Sequence, residues 1–272
     1  MNQLVSTEWL NKNLDNVKIL DASWHLPSVE RSALEEYKLN HITKSIFFDI
    51  DENSNQNTDL PHMLPSTKEW ENIVSNLGIN NSDHVIVYDN SDVFSSCRVW
   101  YTFLYFGHNP ELISVLDGNF KKWKNEKRPT SQEIKKIDKS NYTASENLQL
   151  VLSKDQINRN IVSEKFQLID ARSEKRFLGL QPEPRKELRS GNIKGSKNLP
   201  FQELINNMED RTFKKKDKLI KIFKERQILI DQGMAFTCGS GITACILGLA
   251  NSIISGKKPI IYDGSWTEYG LE

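Results

Sequence analysis

The chain has few cysteines, no excess of either charge and no long apolar run. Its 272 residues include only Cys97, Cys238 and Cys245, an odd and sparse set that argues against a disulfide framework and predicts reduced thiols. Lys and Arg together number 36, as do Asp and Glu, which argues against broad electrostatic binding to nucleic acid or to an anionic membrane. The sequence also shows no export signal and no stretch long enough to span a bilayer, so we expect a cytoplasmic protein.

The length and composition predict a globular protein of two domains. Hydrophobic residues make up 38% of the chain and charged residues 26%, with 12 Phe, 7 Tyr and 6 Trp, a composition typical of folded domains rather than of disordered chains. A chain of this length divides naturally into two domains of about 130 residues, each large enough to bury a core.

Three ordered matches indicate that the chain contains two copies of one unit. The apolar segments that end at Asp21 and Asp170 are alike, and these residues are 149 positions apart. A second pair of apolar segments leads into Asp89 and Cys238 at the same spacing, and a third pair, "VLDGNF" and "IYDGSW", is offset by 146. Three matches in the same order at nearly one offset predict a duplicated domain.

Within each copy, short apolar segments alternate with segments of helical periodicity. This alternation predicts an α/β fold in which each copy has a parallel-sheet core with helices on both faces. We expect a first domain over residues 1–138, a polar linker over 139–149 and a second domain over 150–272.

The segment "TCGSGITACILG" places a cysteine at a strand-to-helix junction. The strand ends at Thr237, Cys238 follows, Gly239 and Gly241 permit a tight loop, and a helix is expected to begin near Thr243. Reactive groups in open parallel sheets lie just beyond the carboxyl ends of strands. A loop of this kind turns backbone N–H groups inward, and these groups favour a negatively charged sulfur.

Two other interpretations of this loop are less favoured. Cys238 could simply fill space, because free cysteine is among the most buried residue types; the flanking glycines and the aspartate at the equivalent position, Asp89, argue for chemistry and for a single catalytic copy. A cysteine phosphatase requires an arginine six residues after its cysteine, and that position is Ala244.

Taken together, the motifs resemble those of the tandem-rhodanese sulfurtransferases, and within them the 3-mercaptopyruvate sulfurtransferase branch. The resemblance covers nearly the whole chain and rests on "CGSGITA" (238–244), "FFDID" (47–51) with "LPHMLP" (60–65), "RVWYTFLYFGH" (98–108), "RFLGLQPEPR" (176–185) and "YDGSW" (262–266). It implies two tandem rhodanese-like domains and transfer of a sulfane sulfur through a persulfide on Cys238, with release of pyruvate. Neither a metal nor an organic cofactor is implied.

The resemblance also implies roles for particular residues. Ser240, His62 and Asp51 match positions of a proposed Ser-His-Asp relay; the alternative is that His62 packs in its turn and Asp51 caps a loop. Arg185 and Arg176 match carboxylate-binding arginines, although such charged stretches are often only a solvated surface. The remaining expected donor contacts are in the loop itself: Gly239, Gly241, Ile242 and Thr243.

The donor is predicted from charge. The cysteine loop has no cationic side chain, whereas thiosulfate is a compact dianion and thiosulfate-preferring relatives carry basic residues there. A donor whose charge lies away from the reacting sulfur, such as 3-mercaptopyruvate, suits the loop better. Cyanide, small thiols and thioredoxin-like proteins are the expected acceptors. A thiosulfate sulfurtransferase and a non-catalytic rhodanese-fold sulfur-binding module are the alternatives.

Overall fold

A computed structural model describes residues 3–207 and 209–271. Contacts within the chain divide it into two compact units. The first unit comprises the residues up to Gln56, Leu64–Asn147 and Asn207–Thr212. The second comprises Asn57–Met63, Leu148–Asn206 and the residues from Phe213 onward. Each unit therefore includes a short segment from the other half of the chain.

The first unit is built on a five-stranded parallel sheet. From one edge to the other, its strands are β1 (Leu4–Ser6), β6 (Ile113–Asp117), β5 (Val85–Tyr88), β2 (Lys18–Asp21) and β4 (Ser45–Phe47). A separate antiparallel pair joins β3 (His41–Ile42) to β7 (Thr130–Ser131). The helices are α1 (Thr7–Asn13), α2 (Ala33–Leu39), α3 (Thr67–Asn76), α4 (Ser96–Tyr105) and α5 (Asn119–Asn125).

The second unit has the same sheet order. From one edge, its parallel strands are β8 (Val151–Leu152), β12 (Ile261–Tyr262), β11 (Met234–Thr237), β9 (Gln167–Asp170) and β10 (Lys197–Asn198). The α-helices are α6 (Lys154–Ser163), α7 (Glu174–Phe177), α8 (Lys216–Glu225), α9 (Ala244–Ser255) and α10 (Ser265–Tyr269), with 3₁₀ turns at Leu148–Leu150 and Phe201–Leu204. The predicted α/β fold with two copies is therefore confirmed.

Burial explains why polar and apolar residues do not alternate along the central strands. All four residues of β5 and all four of β11 are buried, because each strand has neighbours on both sides and its sheet is covered on both faces. The following helices, α4 and α9, are also largely buried, so their sequences are apolar around most of the helix. This arrangement presents the residue after each central strand, Asp89 or Cys238, at the start of a buried helix.

Helix boundaries agree with local capping signals. Ser66 and Ser153 form capping boxes with Glu69 and Gln156 at the start of α3 and α6, and α9 ends at Gly256 in the left-handed region.

Among the described residues, no helix has both the length and the apolar character needed to cross a bilayer.

Candidate active site

Cys238 lies directly after the central strand of the second unit, at the predicted strand-to-helix junction. The loop that it begins runs to Thr243, the residue before α9, and Gly241 within it has φ 78°, a conformation that favours glycine. The Cys238 side chain is buried, with the residue 2% exposed. Its carbonyl accepts a hydrogen bond of 3.0 Å from the N–H of Trp266, which ties the loop to α10.

The equivalent loop of the first unit binds a carboxylate with its backbone. Asp89 accepts hydrogen bonds of 2.9 Å from the N–H of Ser91 and 2.9 Å from the N–H of Ser96, the first residue of α4. The Asn119 side chain adds a third bond of 3.1 Å. Burial raises the pKa of Asp89, and the hydrogen bonds from Ser96 and Ser91 oppose that rise.

The corresponding N–H groups of the second unit are open. Ser240 lies two residues after Cys238, as Ser91 lies two residues after Asp89, and Ala244 begins α9 as Ser96 begins α4. Within the described part of the chain, the backbone N–H groups of Ser240 and Ala244 have no hydrogen-bond acceptor. The positions whose N–H groups hold a carboxylate in the first unit thus have N–H groups without an acceptor among the described residues of the second unit.

The structure brings His62 to Ser240 within the second unit. His62 Nδ1 lies 3.0 Å from the hydroxyl Oγ of Ser240 and 3.3 Å from its carbonyl oxygen. Both residues are buried. If Nδ1 carries the hydrogen it donates to these oxygens; if not, the hydroxyl donates to Nδ1. His62 also has φ 61°, a costly conformation for a residue with a Cβ, of the kind that collects at functional sites.

Asp51, the third member of the predicted relay, belongs to the first unit. Its carboxylate accepts a hydrogen bond of 2.9 Å from the indole nitrogen of Trp24, and its N–H donates to Asp49 at 3.0 Å. The connection between Asp51 and His62 stays a prediction.

Arg176 supplies the positive charge that the loop sequence lacks. A methyl group built on Gly239 would lie 3.3 Å from Nη2 of Arg176, so the guanidinium lies against the residue that follows Cys238. Arg176 also forms a two-point ion pair with Glu183, with Nε–Oε1 at 3.2 Å and Nη2–Oε2 at 2.6 Å.

Arg185 is half-buried, and its guanidinium has no hydrogen bond or ion pair with any described residue. An unpaired arginine on the same segment as Glu183 is available to an anion. The geometry is thus compatible with anion binding by Arg185, and Arg176 can offer only the donors that Glu183 leaves open.

A buried ionic network, which the sequence did not reveal, supports Glu183. Arg172 donates to Asp170 at 2.7 Å and to Glu183 at 3.0 Å, and its guanidinium lies 4.3 Å from the ring centre of Trp266. Burial opposes the charge on Arg172, but the two carboxylates raise its pKa above the usual value. The only sequence signal was the set of charged residues within "DARS" and "QPEPR".

Ser265 is a second residue that sequence reasoning missed. Its hydroxyl accepts a hydrogen bond of 3.3 Å from the N–H of Cys238 and donates to the carbonyl of Tyr262 at 2.8 Å. Its φ is 50°, as unusual as that of His62. Ser265 lies in the "YDGSW" motif, where only its position after two turn-forming residues hinted at a special conformation.

The other two cysteines are buried free thiols. Cys245 donates from its sulfur to the carbonyl of Gly241 at 3.2 Å, a contact between α9 and the loop before it. Across the described residues, no three His, Cys, Asp or Glu side chains are grouped so as to hold a metal ion.

These features define a class: two α/β units of one topology, one of which has a buried cysteine in a loop lined by open N–H groups. A family model for the rhodanese-like domain matches residues 6–126 and 153–272. The chain belongs to the rhodanese-like family and carries two copies of its domain.

Characterised relatives assign sulfur transfer to this architecture. The 3-mercaptopyruvate sulfurtransferase of Mus musculus is 36% identical over 98% of this chain and 91% of the relative. The thiosulfate sulfurtransferase of the same organism is 38% identical over 98% and 91%. The crystal structure of SseA from Escherichia coli, one of the 3-mercaptopyruvate sulfotransferases, matches with a TM-score of 0.88 and 30% identity, covering 98% of this chain and 99% of SseA. The predicted resemblance and the sulfurtransferase class are confirmed.

Proposed function

We propose that this sulfurtransferase uses 3-mercaptopyruvate as donor and carries the sulfur as a persulfide on Cys238. The observation that carries this proposal is the pair of open N–H groups at Ser240 and Ala244, at positions where the first unit holds the carboxylate of Asp89. Donors fixed in place for an anion can stabilise a thiolate and then the terminal sulfur of a persulfide without reorganisation.

The transfer has two balanced steps. The Cys238 thiolate attacks the donor sulfur, the carbon–sulfur bond breaks, and its electron pair leaves with the carbon as the enolate of pyruvate, which takes up a proton. An acceptor thiolate or cyanide then attacks the outer sulfur, and the Cys238 thiolate leaves. Two easier steps through a covalent intermediate replace one direct transfer.

Ser240 and His62 are proposed to manage the proton in the first step. The hydroxyl of Ser240 is held by the His62 imidazole at 3.0 Å and can donate to the donor's carbonyl oxygen as negative charge develops there. Asp51 is proposed as the third group of this relay. The first domain, predicted over residues 1–138, forms no persulfide of its own in this proposal because Asp89 stands at the cysteine position, and its part is to supply His62 and Asp51.

The arginines and the loop support 3-mercaptopyruvate as the donor. Arg185 has no ionic partner among the described residues, and one edge of the Arg176 guanidinium stays open, so both arginines are proposed to bind the donor's carboxylate. Gly239, Gly241, Ile242 and Thr243 are proposed to line the same site without adding charge. Small thiols or thioredoxin-like proteins are the proposed acceptors, with the cytoplasm as the predicted compartment.

Thiosulfate is a second candidate donor because of one observation. The guanidinium of Arg176 lies against Gly239, which brings a positive charge nearer to the reacting sulfur than the loop sequence predicted. Relatives named for each donor match this chain at 36% and 38% identity, so similarity does not decide between them.

The direct test is intact-mass spectrometry of the purified protein after exposure to each donor, with pyruvate measured in parallel. We expect a gain of one sulfur atom with 3-mercaptopyruvate, abolished by Cys238→Ser and retained by the matched control Cys245→Ser. Loading mainly by thiosulfate would overturn the donor proposal. Loading by neither donor would favour the non-catalytic binding module.

A further inference from the structure

Glu183 is a buried carboxylate shared by two arginines. Its side chain is 1% exposed, and its oxygens accept from Arg172 at 3.0 Å and from Arg176 at 3.2 and 2.6 Å. A carboxylate removed from water is tolerated only with such charged partners. Glu183 touches none of the residues of the cysteine loop in the described contacts, so its effect on that loop passes through Arg176.

Glu183 determines which edge of Arg176 remains free. An arginine has five N–H donors; the fork with Glu183 takes the edge formed by Nε and Nη2. Nη1 has no acceptor among the described residues. The edge formed by Nη1 and Nη2 therefore remains intact for a second two-point contact, and Nη2 is the nitrogen that lies against Gly239.

The network anchors this orientation to the sheet. Asp170 is the last residue of β9 and binds Arg172, which in turn binds Glu183. The side chains of Asp170 and Arg172 are 1% and 0% exposed, so they have little freedom to rotate. The first unit has Ser23 where the second has Arg172, so the first unit lacks the arginine on which this chain of ion pairs depends.

We propose that Glu183 is a positioning residue for sulfur transfer, which holds Arg176 so that its Nη1–Nη2 edge receives the anionic group of the donor beside Cys238. The inference rests on the proposed function for the role of Arg176 in donor binding. It adds that the buried network, rather than Arg176 alone, determines the affinity for an anionic donor.

The test is a double-mutant cycle in the full-length protein with Glu183→Gln, Arg176→Gln and the double variant. The control is Glu187→Gln, which changes an exposed carboxylate with no side-chain partner among the described residues. The rate of pyruvate release is measured against 3-mercaptopyruvate concentration. We expect Glu183→Gln to raise KM about tenfold with kcat within about threefold, because the lost orientation weakens a charge-assisted bond made in both ground and transition states.

Coupling distinguishes positioning from general damage to the fold. We expect the double variant to match Arg176→Gln alone, because Glu183 has nothing to orient once the guanidinium is gone. The proposal would be overturned if the rise in KM of the double variant equalled the product of the rises in the two single variants. It would also be overturned if Glu183→Gln behaved like Glu187→Gln. If Glu183→Gln does not fold, Glu183→Asp, which keeps the charge with a shorter reach, carries the same cycle with a smaller expected rise in KM.

The parent protein separates this inference from the proposed function. If only thiosulfate loads Cys238 in the parent, the donor proposal fails, and the same cycle is measured with thiosulfate, whose anionic oxygens would meet the same edge of Arg176. Coupling with that donor would support Glu183 as a positioning residue, and independence of the two substitutions would overturn it.

Discussion

The loops after the two central strands have one backbone plan and opposite contents. In the first unit, the carboxylate of Asp89 accepts from the N–H groups of Ser91 and Ser96. In the second unit, Cys238 stands at that position, and the N–H groups of Ser240 and Ala244 have no acceptor among the residues that the structure describes. Both loops are built to hold negative charge. The first loop therefore contains a fixed internal anion, whereas the second contains a buried free thiol.

Two residues at equivalent positions of the duplication, His62 and Arg211, show the same contrast. They are 149 positions apart, and both have positive φ, 61° for His62 and 53° for Arg211. His62 comes from the first half of the chain but belongs to the second unit, which contains the Cys238 loop. Arg211 comes from the second half but belongs to the first unit, which contains the Asp89 loop. His62 contacts the side chain of Ser240 at 3.0 Å. Arg211 instead donates to the carbonyl of Ser91. One copy thus has a group that can exchange a proton, and the other has a permanent cation.

The largest expected effect comes from giving the second loop the content of the first. Cys238→Asp should abolish sulfur loading, more than about 1,000-fold, because a carboxylate cannot form a persulfide. The protein should stay folded, since Asp89 shows that this backbone accommodates a carboxylate. Intact-mass spectrometry and a thermal unfolding curve check both statements. Residual loading would show that another cysteine carries the transferred sulfur.

The next effect separates a reactive histidine from a packed one. His62→Ala should lower turnover about 100-fold, within the range for loss of general acid–base assistance, with Cys238 still able to load slowly. The comparison variant is Ser240→Ala, which should show a loss of the same order because the two side chains act as a pair. Turnover within a few-fold of the parent across the pH range would contradict the relay.

Removing the internal anion should destabilise the first unit. Asp89→Ala leaves the N–H groups of Ser91 and Ser96 and the amide of Asn119 without their shared acceptor, and we expect a loss of about 3 to 4 kcal/mol in the free energy of unfolding. Urea unfolding monitored by tryptophan fluorescence measures it. An unchanged midpoint would show that the loop does not depend on its carboxylate.

The smallest expected effect compares the aspartates that end β2 and β9. Burial raises the pKa of Asp21 to about 6, against hydrogen bonds from Ser23. A folded pKa above the unfolded value means that the native state holds the proton more tightly. Stability from this group is therefore complete below the unfolded pKa of about 3.9 and is lost as the pH rises through about 6.

Asp21→Asn should remove this loss of stability at higher pH, because the amide oxygen can still accept from Ser23 and no charge is buried. We expect this substitution to raise the free energy of unfolding at pH 7 by about 2 kcal/mol. The free energy of unfolding should also vary less with pH between about pH 4 and 6. Asp170→Asn should do the opposite and destabilise the protein, since Asp170 pairs with Arg172. Equal effects of the two substitutions would contradict the contrast.

Sequence reasoning succeeded where the signal is local. The apolar run of β11 and the helical period of α9 follow from burial of adjacent residues, and the glycines around Cys238 follow from the turn that they must make. Local sequence patterns do not reveal contacts between segments that are distant in the chain. The contact of Arg176 with Gly239 could not be found from the cysteine loop alone, which has no cationic side chain. The Glu183 network was hidden among charges that are equally typical of a solvated surface.

The order of the amino acids alone was enough to predict the duplication, the alternation of strands and helices, and the cysteine loop, because each depends on neighbours in the chain and on periodic burial. The folded structure was needed to show that His62 lies 3.0 Å from Ser240 although 178 positions separate them, that Arg176 lies against Gly239, and that Asp89 accepts from the N–H groups of Ser91 and Ser96. Hydrogen bonds and ion pairs act over a few ångströms, and the folded backbone alone sets those distances.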